Sequence, residues 1–139
     1  MGVVLLVETE LAQRESLLEE VRASGHEPLV ATSLADALVR IREGGLDAVV
    51  FDCADPRSGL VELAHEINAL TDAPPLVLVS GSVHAPEISV RIGAAAFVPK
   101  PVEASELVAV LARVAGTVRP VQEFDDEEPT SEARSFGAS

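Results

Sequence analysis

Apolar positions in this chain fall into short unbroken runs, separated by stretches in which they recur every three or four residues. The runs are Val3 to Val7, Pro28 to Thr32, Ala48 to Phe51 between Asp47 and Asp52, Leu76 to Val79, and the stub Phe97-Val98. Runs of this length, rich in β-branched residues and lacking alternation, predict strands buried on both faces. Between them the helical spacing returns: Leu11, Leu17, Leu18 and Val21; Leu34, Leu38 and Ile41; Leu60, Leu63, Ile67 and Leu70; a short segment entered at Pro86; and Leu107, Val108, Leu111 and Val114. Gly25, Gly44-Gly45, Gly93 and Gly116 supply helix stops, and Ser33 with Asp36 three residues on is a capping signal. Pro28 marks its strand as an edge, because proline has no amide to donate to a neighbour. Five strands alternating with five helices predict an α/β domain: a doubly wound, five-stranded parallel sheet with helices on both faces.

The polar residues at the strand ends are chemically distinctive. Glu8-Thr9-Glu10, Asp52, Ser80-Gly81 and Lys100-Pro101 each follow a different strand. In a parallel sheet those ends share one edge, where α/β folds place their ligand crevice. Carboxylates, a hydroxyl and an ammonium brought together there suit a phosphoryl group: carboxylates hold Mg²⁺, lysine and serine grip phosphate oxygens, and a carboxylate can be the nucleophile.

Composition narrows the picture. With 139 residues the chain is one domain with a tail, long enough to bury a core without metal or disulfide, and Cys53 is its single cysteine. Cys53 is expected to be a small buried residue, and His26, His65 and His84, which lack ligand spacing, to be surface histidines. Ten Lys+Arg against 23 Asp+Glu give a formal charge of −13, which disfavours nucleic acid and anionic membranes as partners. The first apolar run is stopped by Glu8, too short for a signal sequence or a membrane span, so a cytoplasmic protein is expected. Lys100 is the one lysine among nine arginines, which singles it out. From residue 119 to 139 periodicity stops and Glu123, Asp125, Asp126, Glu127, Glu128 and Glu132 accumulate. The predicted organisation is therefore a domain over 1–118 and an acidic, disordered tail over 119–139, in which Phe124 and Phe136 stand out.

Taken in order, these pieces resemble the receiver domain of bacterial response regulators, the CheY-like family. The resemblance covers about residues 3 to 116 and is carried by the acidic residue after the first strand, Leu46-Asp47-Ala48-Val49-Val50-Phe51-Asp52, Pro56, Ser80-Gly81, Gly93-Ala94 and Phe97-Val98-Pro99-Lys100-Pro101. It implies a flavodoxin-like strand order 2-1-3-4-5. It implies that Asp52 is the phosphoacceptor, fed by a sensor histidine kinase or phosphotransfer protein, and that Ser80 and Lys100 bind the phosphate. Ser80 and Phe97 would be the switch residues. Glu8, Asp52 and the backbone carbonyl of Ala54 would hold Mg²⁺, Gly81 would leave room for the phosphoryl group, and the Lys100–Pro101 bond would be cis. Homodimerisation and a downstream protein partner are also implied.

Three departures accompany the likeness. Thr9 stands where the family places a second acid, and a neutral hydroxyl attracts a hard cation less, so Mg²⁺ binding is expected to be weak. The loop after Asp52 and the segment from Ser80 to Gly93 are shorter than usual. No output domain is expected to follow, so the expectation is a stand-alone receiver that signals by protein contact, with no enzymatic activity beyond gaining and losing its own phosphoryl group. The alternative is a pseudo-receiver, a scaffold indifferent to phosphorylation because of Thr9. A haloacid-dehalogenase-type hydrolase is disfavoured, since Asp52-Cys53-Ala54 lacks an aspartate two residues on.

Overall fold

The structure, a computed structural model, describes residues 2–8, 11–53 and 59–115, with backbone alone for 11–16. Five strands, β1 (Val3–Glu8), β2 (Glu27–Ala31), β3 (Ala48–Asp52), β4 (Leu76–Ser80) and β5 (Ala96–Pro99), alternate with five helices. These are α1 (Leu11–Ala23), α2 (Leu34–Glu43), α3 (Leu60–Asn68), α4 (Ala85–Arg91) and α5 (Ala104–Ala115). All strand pairs are parallel and the order is β2-β1-β3-β4-β5. Among the described residues no helix is long and apolar enough to cross a membrane.

Alternation along the strands divides the interior into two cores. Leu5, Val7, Val49, Phe51, Leu76 and Leu78 point to one face, covered by Ala37 and Ile41 of α2, Leu60, Leu63 and Ile67 of α3, and Ile88 of α4. Val4, Leu6, Val50, Val77, Val79 and Val98 point to the other, covered by Leu17 and Val21 of α1 and Leu107 and Leu111 of α5. With both faces covered, every residue of β3 and β4 is buried, which explains runs that do not alternate in hydropathy.

Local signals explain the boundaries. Ser33 caps α2, its hydroxyl accepting the Asp36 amide at 3.1 Å, and Gly44 ends that helix at φ +82°. Pro28 lies inside β2, paired with Val4, and is tolerated because β2 is an edge strand with a neighbour on one side only.

Some expectations needed correction. His26 is 3% exposed, not a surface residue. Ser24 Oγ donates to the Val21 carbonyl at 2.6 Å and lies 2.8 Å from His26 Nδ1, and Gly2 packs so closely that a Cβ there would run into the imidazole. In α5 the inward set is Leu107, Val110 and Leu111, while Val108 is only half-buried. Cys53 is buried, as its residue type suggested.

Candidate functional site

The period of two that sorts the cores also builds the site. Glu8 continues the Val4–Leu6 side of β1, Asp52 the Ala48–Val50 side of β3, and Lys100 the Ala96–Val98 side just beyond β5. Glu8 and Asp52 are direct partners in the β1–β3 register, so two carboxylates lie side by side at the edge where the strands end. Both are 1% exposed.

Lys100 faces this pair. Its ammonium is 2.6 Å from Asp52 Oδ1, with side-chain exposures of 17% for the lysine and 1% for the aspartate. Asp52 Oδ2 accepts no hydrogen bond from any described residue. Backbone bonds hold these groups in place: the Cys53 amide donates to the Val79 carbonyl at 3.1 Å, and the Lys100 amide to the Ser80 carbonyl at 3.2 Å. The Lys100–Pro101 peptide is cis.

Ser80, fully buried, ends β4 beside this crevice. Its hydroxyl accepts the Ser82 amide at 3.1 Å, and the Ser82 hydroxyl accepts the His84 amide at 3.1 Å. Two successive serine turns thus wind the chain from the site to the start of α4. The contribution of Ser82 escaped the sequence reading; its signal was a hydroxyl two residues after another, at the end of a strand. At Gly81 a Cβ would make ordinary van der Waals contact with the Lys100 Cβ at 3.4 Å, so the backbone there runs close beside the lysine. Phe97, opposite Leu78 in the β4–β5 register, is half-buried against the core that α4 helps to cover.

Glu8, Asp52, Ser80 and Lys100 are therefore brought to one sheet edge, while Phe97 packs below it. Thr9 and the Ala54 carbonyl, the other candidate metal ligands, lie outside the described residues, as do Glu10 and Pro56. Two adjacent buried carboxylates, with Oδ2 of one accepting no hydrogen bond from a described residue, are a donor set that suits a hard divalent cation such as Mg²⁺. Among the described residues there is no group of three or more His, Cys, Asp or Glu side chains able to hold a metal. Chemically, the arrangement offers a carboxylate oxygen as nucleophile, flanked by a fixed positive charge and a hydroxyl.

Comparison with known proteins agrees with this geometry. A family model described as the response regulator receiver domain matches residues 4–112. The response regulator MprA of Mycobacterium ulcerans is 30% identical over 135 residues, covering 96% of this chain and 57% of that protein. The chain thus spans little more than half the length of the curated relatives it matches. Among solved structures, the receiver domain of the sensor histidine kinase PA1611 from Pseudomonas aeruginosa, which has magnesium coordinated in its active site cleft, superposes with a TM-score of 0.74 at 21% identity, over 84% of this chain and 98% of that one. The chemotaxis protein CheY4 of Vibrio cholerae gives 0.69 at 20% identity, over 82% of this chain and 98% of that one. At such identities these likenesses establish the fold.

Proposed function

The chain belongs to the response regulator receiver domain family of two-component signalling, and from that premise we propose that Asp52 accepts a phosphoryl group from the phosphohistidine of a partner kinase or phosphotransfer protein. The observation that carries this reading is the ion pair between Asp52 and Lys100 at the edge where β3 and β5 end. An Asp52 carboxylate oxygen attacks phosphorus in line, a P–O bond forms as the P–N bond to the donor histidine breaks, and the leaving imidazole nitrogen keeps the electron pair and takes up a proton. The product is a mixed anhydride, an acyl phosphate.

Each neighbour contributes a definable part. Lys100 holds the attacking carboxylate in place before the transfer and afterwards offers its positive charge to the phosphoryl oxygens. The Ser80 hydroxyl donates to a phosphoryl oxygen from the β4 side. Glu8 and Asp52 would hold Mg²⁺, with Thr9 and the Ala54 carbonyl nearby in sequence; such an ion supplies charge neutralisation between carboxylate and phosphate. Phe97 would report the change through its rotamer, and the output is a changed protein-contact surface in the cytoplasm, with chemistry confined to gaining and losing the phosphoryl group.

Thr9 favours a second reading, a receiver-like scaffold that binds partners irrespective of phosphorylation. The two readings separate on chemical grounds. An acyl phosphate on Asp52 is cleaved by hydroxylamine, leaving a hydroxamate at that residue, so protein exposed to a phosphodonor should yield the Asp52 hydroxamate by peptide mass mapping. Absence of that modification under conditions that phosphorylate a working receiver would favour the scaffold.

A further inference from the structure

Away from the phosphorylation crevice, α3 and α4 leave a groove of about 170 Å³ lined by Val61, Ala64, His65, Asn68, Arg91 and Ile92. Its walls have two characters. Val61, Ala64 and Ile92 are apolar, and Val61 is 43% exposed, an unusual position for a valine beside a hollow. His65 and Arg91 add nitrogen donors at the rim, and the Asn68 amide reaches the Ile92 carbonyl at 3.5 Å to close one end. Among the described residues Arg91 pairs with Glu87, one turn back on the exposed face of α4, at 3.0 Å. Pairs of that kind contribute about 0.3–0.5 kcal/mol and are readily exchanged for a better partner. Apolar cavities of about 150 Å³ admit a benzene ring, so the groove is large enough for a phenyl side chain with carboxylates beside it.

The chain contains such a segment. Glu123-Phe124-Asp125-Asp126-Glu127-Glu128 sets one aromatic among five carboxylates, in a protein with only four phenylalanines. We propose that this segment docks in the α3–α4 groove of its own domain, with Phe124 against Val61, Ala64 and Ile92 and the carboxylates facing Arg91 and His65. Charge complementarity favours it: five negative charges meet one of the protein's ten cationic residues, beside an imidazole.

The reach is sufficient. α4 and α5 cover opposite faces of the sheet and both pack on β5, an edge strand, so the tail needs only to round that edge. Ile92 lies just before β5 begins, and α5 returns toward the same end of the sheet. Packed layers stand about 10 Å apart, so the path is roughly 20 Å. Phe124 is nine residues beyond Ala115, and at about 3.3 Å per residue those cover roughly 30 Å. The inference is independent of whether Asp52 is phosphorylated.

The test uses the whole chain carrying Gln122→Cys with a nitroxide label; Cys53, 4% exposed, is shielded from the reagent. Docking predicts loss of the His65, Asn68 and Ile92 amide signals in the labelled protein, with recovery when the nitroxide is reduced. Phe124→Ala and Arg91→Glu should each restore those signals, and Phe136→Ala should not. Signals that stay at full intensity in the labelled protein would overturn the proposal. So would broadening that appears mainly when spin-labelled chains are mixed with isotope-labelled ones, which would place a second copy's tail in the groove.

Discussion

The Lys100 ammonium lies 2.6 Å from Asp52 Oδ1, and Glu8, the register partner of Asp52, is buried beside them. Two carboxylates with one lysine are an electrostatically uneven set. Removing one carboxylate relieves like-charge repulsion, whereas removing the lysine exposes both to it. Asp52→Asn is therefore expected to raise the urea midpoint and Lys100→Ala to lower it. The loss for Lys100→Ala should be about 2–3 kcal/mol, below the ~3–5 of fully enclosed pairs because the lysine retains some solvent. A lower midpoint for Asp52→Asn, or a higher one for Lys100→Ala, would contradict this account of the site.

Surface pairs should behave differently. Arg42 reaches Glu66 at 2.9 Å and ties α2 to α3, but the two side chains are 60% and 46% exposed. Arg42→Ala is expected to change stability by less than about 1 kcal/mol. Denaturant titration of this variant alongside Lys100→Ala compares burial at nearly equal contact distance.

Ser80 has two tasks that substitution can separate. Its hydroxyl accepts the Ser82 amide, and it is proposed to donate to the phosphoryl group. Ser80→Ala should lose about 1 kcal/mol of stability, the usual worth of one such bond, and should also slow phosphorylation. Ser80→Thr keeps the hydroxyl and should retain most of both. If Ser80→Ala alters stability alone, with phosphorylation rates unchanged, the phosphate role fails.

Gly59 opens α3 at φ +89°, and a Cβ there would overlap Leu34 Cδ1. A side chain must both adopt the left-handed region and displace the Leu34 Cδ1 methyl. Gly59→Ala should cost about 1–2 kcal/mol, read as a lower thermal midpoint. Gly81→Ala, whose Cβ would meet Lys100 Cβ at 3.4 Å, should cost less.

How far the sequence disclosed this molecule depended on the kind of signal. Asp52, Ser80, Lys100 and Glu8 were legible because in a parallel sheet the ends of strands share an edge, so residue type and position alone assemble the cluster. The inward face of α5 was less legible: Leu107, Val108, Val110, Leu111 and Val114 fit more than one helical frame, and packing on the sheet chose Val110 over Val108. His26 gave no pattern at all. Its burial goes with the close approach of Gly2, a long-range contact that arises only once β1 and β2 pair, beside a local contact with the Ser24 hydroxyl. The Ser80–Ser82–His84 turns likewise depend on the path of the β4–α4 loop.

The most direct measurement of the central claim is the intact mass of the protein after incubation with acetyl phosphate and Mg²⁺, for wild type, Asp52→Asn and Thr9→Asp. The account predicts an adduct of one phosphoryl group on wild type, none on Asp52→Asn, and a higher yield on Thr9→Asp, where a second acid strengthens the hold on the cation. A wild-type protein that stays unmodified while Thr9→Asp acquires the adduct would contradict it and leave a scaffold indifferent to phosphorylation.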